Sequence, residues 1–146
     1  MKSVGMLLRS KGYQVLSVAP ETAVFDALQL MADRNVGALL VVGDGRLVGI
    51  FSERDYARKI ILKGKASRTT PVSEIMTTEV VCVGPDQTLE DCMALMTERR
   101  IRHLPVVDEG NLIGVISIGD VVKDIISEQE YIIEQLQTYI TGGPSS

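Results

Sequence analysis

Apolar and polar positions along this chain alternate in two registers, and the same succession occurs twice. Val15-Leu16-Ser17-Val18 is a short β-prone run, stopped at Ala19-Pro20 because a proline disfavours helical geometry in the residue before it. Val24, Ala27, Leu28 and Met31 then fall at i, i+3, i+4 and i+7, which predicts an amphipathic helix. Ala38-Leu39-Leu40-Val41-Val42 and Leu47-Val48-Gly49-Ile50-Phe51 follow, joined by Gly43-Asp44-Gly45-Arg46, and the Asp-Gly pair predicts a hairpin turn. A short helix over about 53–62 closes the unit.

The second unit repeats this order. Leu89, Cys92, Met93 and Met96 take the helical spacing, and Thr88-x-x-Asp91 is suited to cap that helix. Asp108-Glu109-Gly110-Asn111 is the second hairpin turn, and a helix over about 118–127 ends the unit. Residues 15–61 align without a gap on 80–126, an offset of 65, with about 17 identical positions of 47. Glycines, polar residues and core residues stay in step, as a true internal repeat requires. Two copies are too few for a solenoid, so a closed pseudo-twofold pair is expected, each unit covering the other's apolar face.

The chain divides accordingly into a lead-in (1–14), repeat 1 (15–62), a linker with a second lead-in (63–79), repeat 2 (80–127) and a C-terminal helix and tail (128–146). Val72-Ser73-Glu74-Ile75-Met76 echoes Val4-Gly5-Met6-Leu7-Leu8 before the other copy. In the last segment Ile132, Ile133, Leu136 and Ile140 form an apolar stripe, and Gly142-Gly143-Pro144 should end the helix.

Composition narrows the function. A formal net charge of −4 argues against a nucleic-acid coat, and 4% aromatic residues leave few stacking platforms. No run approaches the roughly 18 apolar residues of a membrane span. Two cysteines and one histidine supply neither a disulfide framework nor a metal set, so a reduced, cytoplasmic protein without catalytic cofactor is expected. Cys82 is expected on a strand and Cys92 on a helix's apolar face, both as small buried hydrophobes.

The candidate chemistry lies at the last strand-to-helix junction of each repeat, Ser52-x-x-Asp55 and Ser117-x-x-Asp120. A carboxylate can accept both hydroxyl protons of a ribose cis-diol, strengthened by its charge. The helix that begins there presents free N–H groups to an anion. Ser-x-x-Asp is also a helix-capping pattern, and the two roles are compatible. Arg54 opens the helix beside Asp55, and guanidinium groups match phosphate oxygens. Arg99 and Arg100 read as a solvated helix end.

Arg102-His103-Leu104-Pro105-Val106-Val107-Asp108, Gly114-Val115-Ile116-Ser117-x-x-Asp120 and Gly49-Ile50-Phe51-Ser52-Glu53-Arg54-Asp55 resemble the CBS domain, here as a tandem pair or Bateman module. The resemblance covers nearly the whole chain and is similar to stand-alone pairs of bacteria and plant mitochondria. It implies an α+β, sandwich-like fold of two β-α-β-β-α repeats. It also implies clefts that bind adenosine-containing ligands such as AMP, ATP, NAD(H) or S-adenosylmethionine, and a homodimer.

Each site implied by the resemblance mixes copies. One joins Ser117 and Asp120 to Ser17, Val36, Gly37 and Ala38. The other joins Ser52, Arg54 and Asp55 to Cys82, Ile101, Arg102 and His103, with Arg102 and His103 near the phosphates. A structural histidine is the alternative for His103. The Asp55 site is the more cationic and is expected to prefer more phosphate. The implied function is a regulatory module that signals to a separate, unidentified protein. A ligand-free scaffold and a redox regulator using Cys82 or Cys92 are alternatives. No nucleophile–base pair or paired carboxylates support an enzyme, and Gly43, Gly45 and Gly49 are hairpin glycines rather than a dinucleotide loop.

Overall fold

The computed structural model describes residues 2–140. The elements run α1 (Val4–Lys11), β1 (Ser17–Val18), α2 (Val24–Arg34), β2 (Ala38–Gly43), β3 (Arg46–Ser52), α3 (Glu53–Asp55), α4 (Leu89–Arg99), β4 (His103–Asp108), β5 (Asn111–Ser117) and α5 (Ile118–Ile140). After α3 the chain continues, with wider i→i+5 winding, through Tyr56–Ile61, and a single 3₁₀ turn covers Val72–Glu74. The expected termination at Gly142-Gly143-Pro144 lies outside the described residues.

Both hairpins form where the Gly-containing turns predict them. Asp44 and Gly45, and Glu109 and Gly110, all take positive φ, the conformation of a two-residue turn matched to strand twist. The strand β2 pairs antiparallel with β3 and β4 with β5, with register irregularities at the equivalent positions Val41/Val42 and Val106/Val107. Helices α2 and α4 bury Val24, Ala27 and Met31, and Leu89, Cys92 and Met96, as their spacing requires.

The repeats differ in one strand. In repeat 1, β1 lies parallel to β2, and the Leu40 N–H donates to the Leu16 carbonyl at 3.1 Å. At the equivalent place in repeat 2 stands Pro105, which has no N–H to donate. Only Val83 bridges to Val106 there, through Val83 N–H to Pro105 O (3.0 Å) and Val107 N–H to Val83 O (2.9 Å). The expected strand around Val80–Val83 is therefore reduced to a bridge. Cys82 sits in irregular backbone and is exposed, which corrects its expected place as a buried strand residue; Cys92 is buried.

The two lead-ins are exchanged. Val4, Leu7 and Leu8 of α1 join the core of repeat 2, with Val83, Leu89, Leu104 and Ile116. Val72 and Ile75 join the core of repeat 1, with Val24, Leu39 and Phe51. Backbone bonds fasten each exchange: Val4 N–H to Gln87 O and Gly5 N–H to Pro85 O, both 2.8 Å, against Val72 N–H to Thr22 O (2.8 Å) and Val24 N–H to Thr70 O (2.9 Å). Gly114 and Gly49, equivalent in the repeat, make room for it. A Cβ on Gly114 would lie 2.8 Å from Leu8 Cδ2, and one on Gly49 would lie 2.6 Å from Met76 Sδ. Each apolar face is thus covered by the segment that precedes the other repeat.

Candidate functional site

The site grows from the two strand-to-helix junctions. Ser52 caps α3: its hydroxyl accepts from Asp55 N–H at 3.2 Å, and Asp55 Oδ2 accepts from Ser52 N–H at 3.0 Å. Ser117 and Asp120 repeat this at the start of α5, with distances of 3.1 and 2.9 Å. The capping reading holds for both, and both carboxylates also border a cleft.

Cleft 1, about 470 Å³, is bordered by Val36, Gly37, Ala38, Ser117 and Asp120 together with Lys11, Gln14 and Arg34. Cleft 2, about 670 Å³, is bordered by Ser52, Arg54, Asp55, Ile101, Arg102 and His103. Both volumes fall within the range of about 300–1,000 Å³ typical of small-molecule sites. Gly37, Ile50 and His103 border both clefts, so the two lie side by side with these residues as their shared wall. Ser17 and Cys82 do not line them: Gln14 and Leu16 border cleft 1 near the first, and Val80 and Val81 border cleft 2 near the second.

Several lining residues escaped the sequence reading. Lys11 belongs to α1, which adjoins repeat 1 in sequence but docks on repeat 2, bringing its ammonium to Asp120 Oδ2 (2.5 Å) and the Val115 carbonyl (2.6 Å). Arg58, Lys59, Thr77 and Glu79 join cleft 2, and the exposed Arg99 and Arg100 border it rather than standing apart. Arg54 donates to the Arg100 carbonyl at 2.8 Å, tying α3 to the end of α4. Lys11 and Thr77 lay in segments whose cross-chain placement no local pattern shows, whereas Lys59 stands four residues after Asp55 in the same helical stretch.

The carboxylates differ in surroundings. Asp55 is buried; its Oδ1 accepts from Thr77 Oγ1 at 3.0 Å and faces Lys59 Nζ at 3.4 Å, while Oδ2 also accepts from Ser52 Oγ at 3.1 Å. Asp120 is more open, with a side chain 26% exposed against 11% for Asp55. Burial would raise the Asp120 carboxyl, but hydrogen bonds from Lys11 and the Ser117 backbone, with the Lys11 charge, hold it below its ordinary value. His103 is held below the ordinary imidazole value, first by burial and then by Lys11, opposed by Asp120. Among the described residues no cluster of three or more His, Cys, Asp or Glu could hold a metal ion.

The chain has counterparts among known proteins. The family model described as CBS domain matches residues 10–62 and again 72–127. The CBS domain-containing protein CBSX3, mitochondrial, of Arabidopsis thaliana is 41% identical over 150 residues, covering 97% of this chain and 73% of the relative. A solved structure of a protein with CBS domains from Burkholderia ambifaria is 49% identical, with a TM-score of 0.85 over 88% of this chain and 96% of that one. The CBS domain pair of protein MJ0100, solved with 5′-methylthioadenosine and S-adenosyl-L-methionine, shares the fold at 22% identity, with a TM-score of 0.77 over 88% of this chain and 98% of that one. Two matches in register with two internal repeats, and relatives that span almost the whole of what is described, make this chain a member of the CBS-domain family carrying a tandem pair.

Proposed function

We propose that this chain is an adenosine-nucleotide-binding regulatory module. CBS pairs are regulatory and signal-transduction modules, and the finer reading rests on one observation. Asp120, more exposed than Asp55 and set on a capped helix start, borders a cleft shared by the two repeats, with Lys11 and Arg34 at its edge and His103 at its seam. A ribose diol suits the carboxylate, a flat adenine edge suits Gly37-Ala38, and phosphate suits the cations. The adenosyl ligands in the MJ0100 structure support the same ligand class. AMP, ATP and NAD(H) are the ligands of this reading, and they bind without turnover.

Because the clefts form where repeats meet, a ligand there favours one relative arrangement of the repeats, and a separate protein reads that arrangement. A homodimer in the cytoplasm belongs to the same proposal; the Arabidopsis relative is by name mitochondrial, so fractionation of the native cells decides the compartment. Among the described residues no helix is long and apolar enough to cross a membrane.

The test is calorimetric titration of nucleotide-free protein with AMP, ATP, NAD, NADH and S-adenosylmethionine, repeated with Asp120→Ala and Asp55→Ala. Saturable binding, strongly weakened in Asp120→Ala while its fold is retained, is expected. No heat with any ligand, together with an unchanged melting temperature, overturns the proposal.

A further inference from the structure

Resting on the homodimer of that reading, we infer that the two copies are joined by an exchange of α5. Its outer half lies on the basic, apolar segment 61–68 at the end of repeat 1 of the other copy, and a twofold axis makes the contact twice.

The first ground is that this half of α5 lacks cover. Over residues 127–140 every side chain is exposed or half-exposed, and so many consecutive positions take in all sides of the helix. A helix of this length standing alone in water is marginal and takes its stability from packing an apolar face. That face is present: Ile126, Ile133 and Ile140 fall at i, i+7 and i+14, with Ile132 and Leu136 between them.

The second ground is an apolar patch at the matching end of repeat 1. Ile61 is the repeat equivalent of Ile126 and is 60% exposed, beside Leu62 at 78%. Here the chain does not continue as a helix. Lys65 N–H donates to the Ile60 carbonyl at 3.0 Å, and Gly64 takes positive φ and turns the backbone away. Phe25 is tied to the same segment through its N–H to the Ser67 carbonyl at 2.9 Å, and its ring lies 4.2 Å from the Arg68 guanidinium.

The third ground is charge, which selects the pairing. Residues 56–73 include no Asp or Glu but carry Arg58, Lys59, Lys63, Lys65 and Arg68. Residues 124–140 include no Lys or Arg but carry Asp124, Glu128, Glu130 and Glu134. Lys59 already serves Asp55, and Lys65 faces Glu74 at 3.6 Å, whereas Lys63 stands exposed beside Leu62. Packing α5 on a second α5 would set carboxylates against carboxylates with no cation to offset them. Packing it on segment 61–68 brings opposite signs together around an apolar centre. The twofold axis closes the assembly at two copies.

The experiment is sedimentation equilibrium of the full chain for wild type, Lys63→Glu/Lys65→Glu, Glu130→Lys/Glu134→Lys and mixtures of them. All four positions are exposed, and thermal melts confirm each variant as folded. Each variant alone is expected to dissociate about tenfold more readily than wild type, because attraction becomes repulsion at both contacts. An equimolar mixture of the two variants should regain the wild-type affinity. A Lys63→Glu/Lys65→Glu chain that dimerises like wild type overturns the inference and leaves the homodimer standing. So does a Glu130→Lys/Glu134→Lys chain that binds wild type more tightly than wild type binds itself, since that marks α5 packed on α5. A wild type that stays monomeric throughout overturns the homodimer beneath the inference, and the inference with it.

Discussion

Lys11, the last residue of α1, sets its ammonium 2.5 Å from Asp120 Oδ2, at the start of α5 and 109 residues further along the chain. The carboxylate best placed for a ribose is therefore already paired. A nucleoside that takes Asp120 must share it with Lys11, whereas a nucleotide gives Lys11 a phosphate in exchange. Lys11→Met is expected to bind adenosine more tightly than wild type while AMP loses most of its advantage over adenosine. Paired titrations with the two ligands read this directly, and an unchanged AMP-to-adenosine ratio contradicts it.

The exchanged lead-ins predict where a single methyl group is costly. In Gly114→Ala the new carbon meets the side chain of Leu8, which is wholly buried and has no room to retreat. In Gly49→Ala it meets Met76 and also the Thr77 carbonyl, 3.0 Å away, which is backbone. Overpacking of this kind costs about 1–3 kcal/mol, and Gly49→Ala should be the worse of the two. Urea unfolding of both variants, with unchanged m-values, measures it.

The outer half of α5 carries an apolar stripe that is exposed among the described residues. Ile132, Ile133, Leu136 and Ile140 are 45, 53, 56 and 80% exposed, in continuity with Val122 and Ile126. Apolar side chains at this spacing are suited to a second copy, as the proposed homodimer requires. Leu136→Asp is expected to shift the chain toward monomer in light scattering coupled to gel filtration. A wild type already monomeric at micromolar concentration would remove the dimer from the proposal.

His103 connects ligand binding to pH. Burial and Lys11 hold its imidazole below the ordinary value, with Arg102 acting in the same sense and Asp120 and Glu53 opposing. Its folded value lies below the unfolded one near 6.5, so the unfolded chain binds the proton first and stability falls as pH drops through that window. A phosphate beside His103 favours the imidazolium. Nucleotide binding is therefore expected to take up protons near pH 6.5 and to tighten as pH falls. Calorimetry in buffers of different ionisation heat detects this, and His103→Gln should take up fewer protons.

The thiols should react in a fixed order. Cys82 is exposed, and its thiol is only pushed upward by burial. Cys92 is buried, and burial with Asp91 and Glu90 pushes it up to about 11. A maleimide is expected to label Cys82 in the native protein and Cys92 only on unfolding. Native labelling at Cys92 would show that α4 opens locally.

The repeat, the helices α2 and α4, both hairpins and both Ser-x-x-Asp caps were legible in the sequence. Each is set by interactions within a few residues: helical spacing, positive-φ turn residues and side-chain oxygens within reach of nearby N–H groups. The strand expected around Cys82 failed for a reason the reading passed over, the absent N–H of Pro105. The tertiary structure decided what depends on segments far apart. It sent α1 to repeat 2 and Val72–Glu74 to repeat 1. It thereby put Lys11 on Asp120 and Thr77 on Asp55, whose i+4 neighbour Lys59 adds an ion pair. Two equivalent Ser-x-x-Asp caps thus became one carboxylate bonded at Oδ2 and one, more buried, bonded at both oxygens. Capping is a contact over three residues, whereas availability to a ligand depends on which distant side chains the packing delivers.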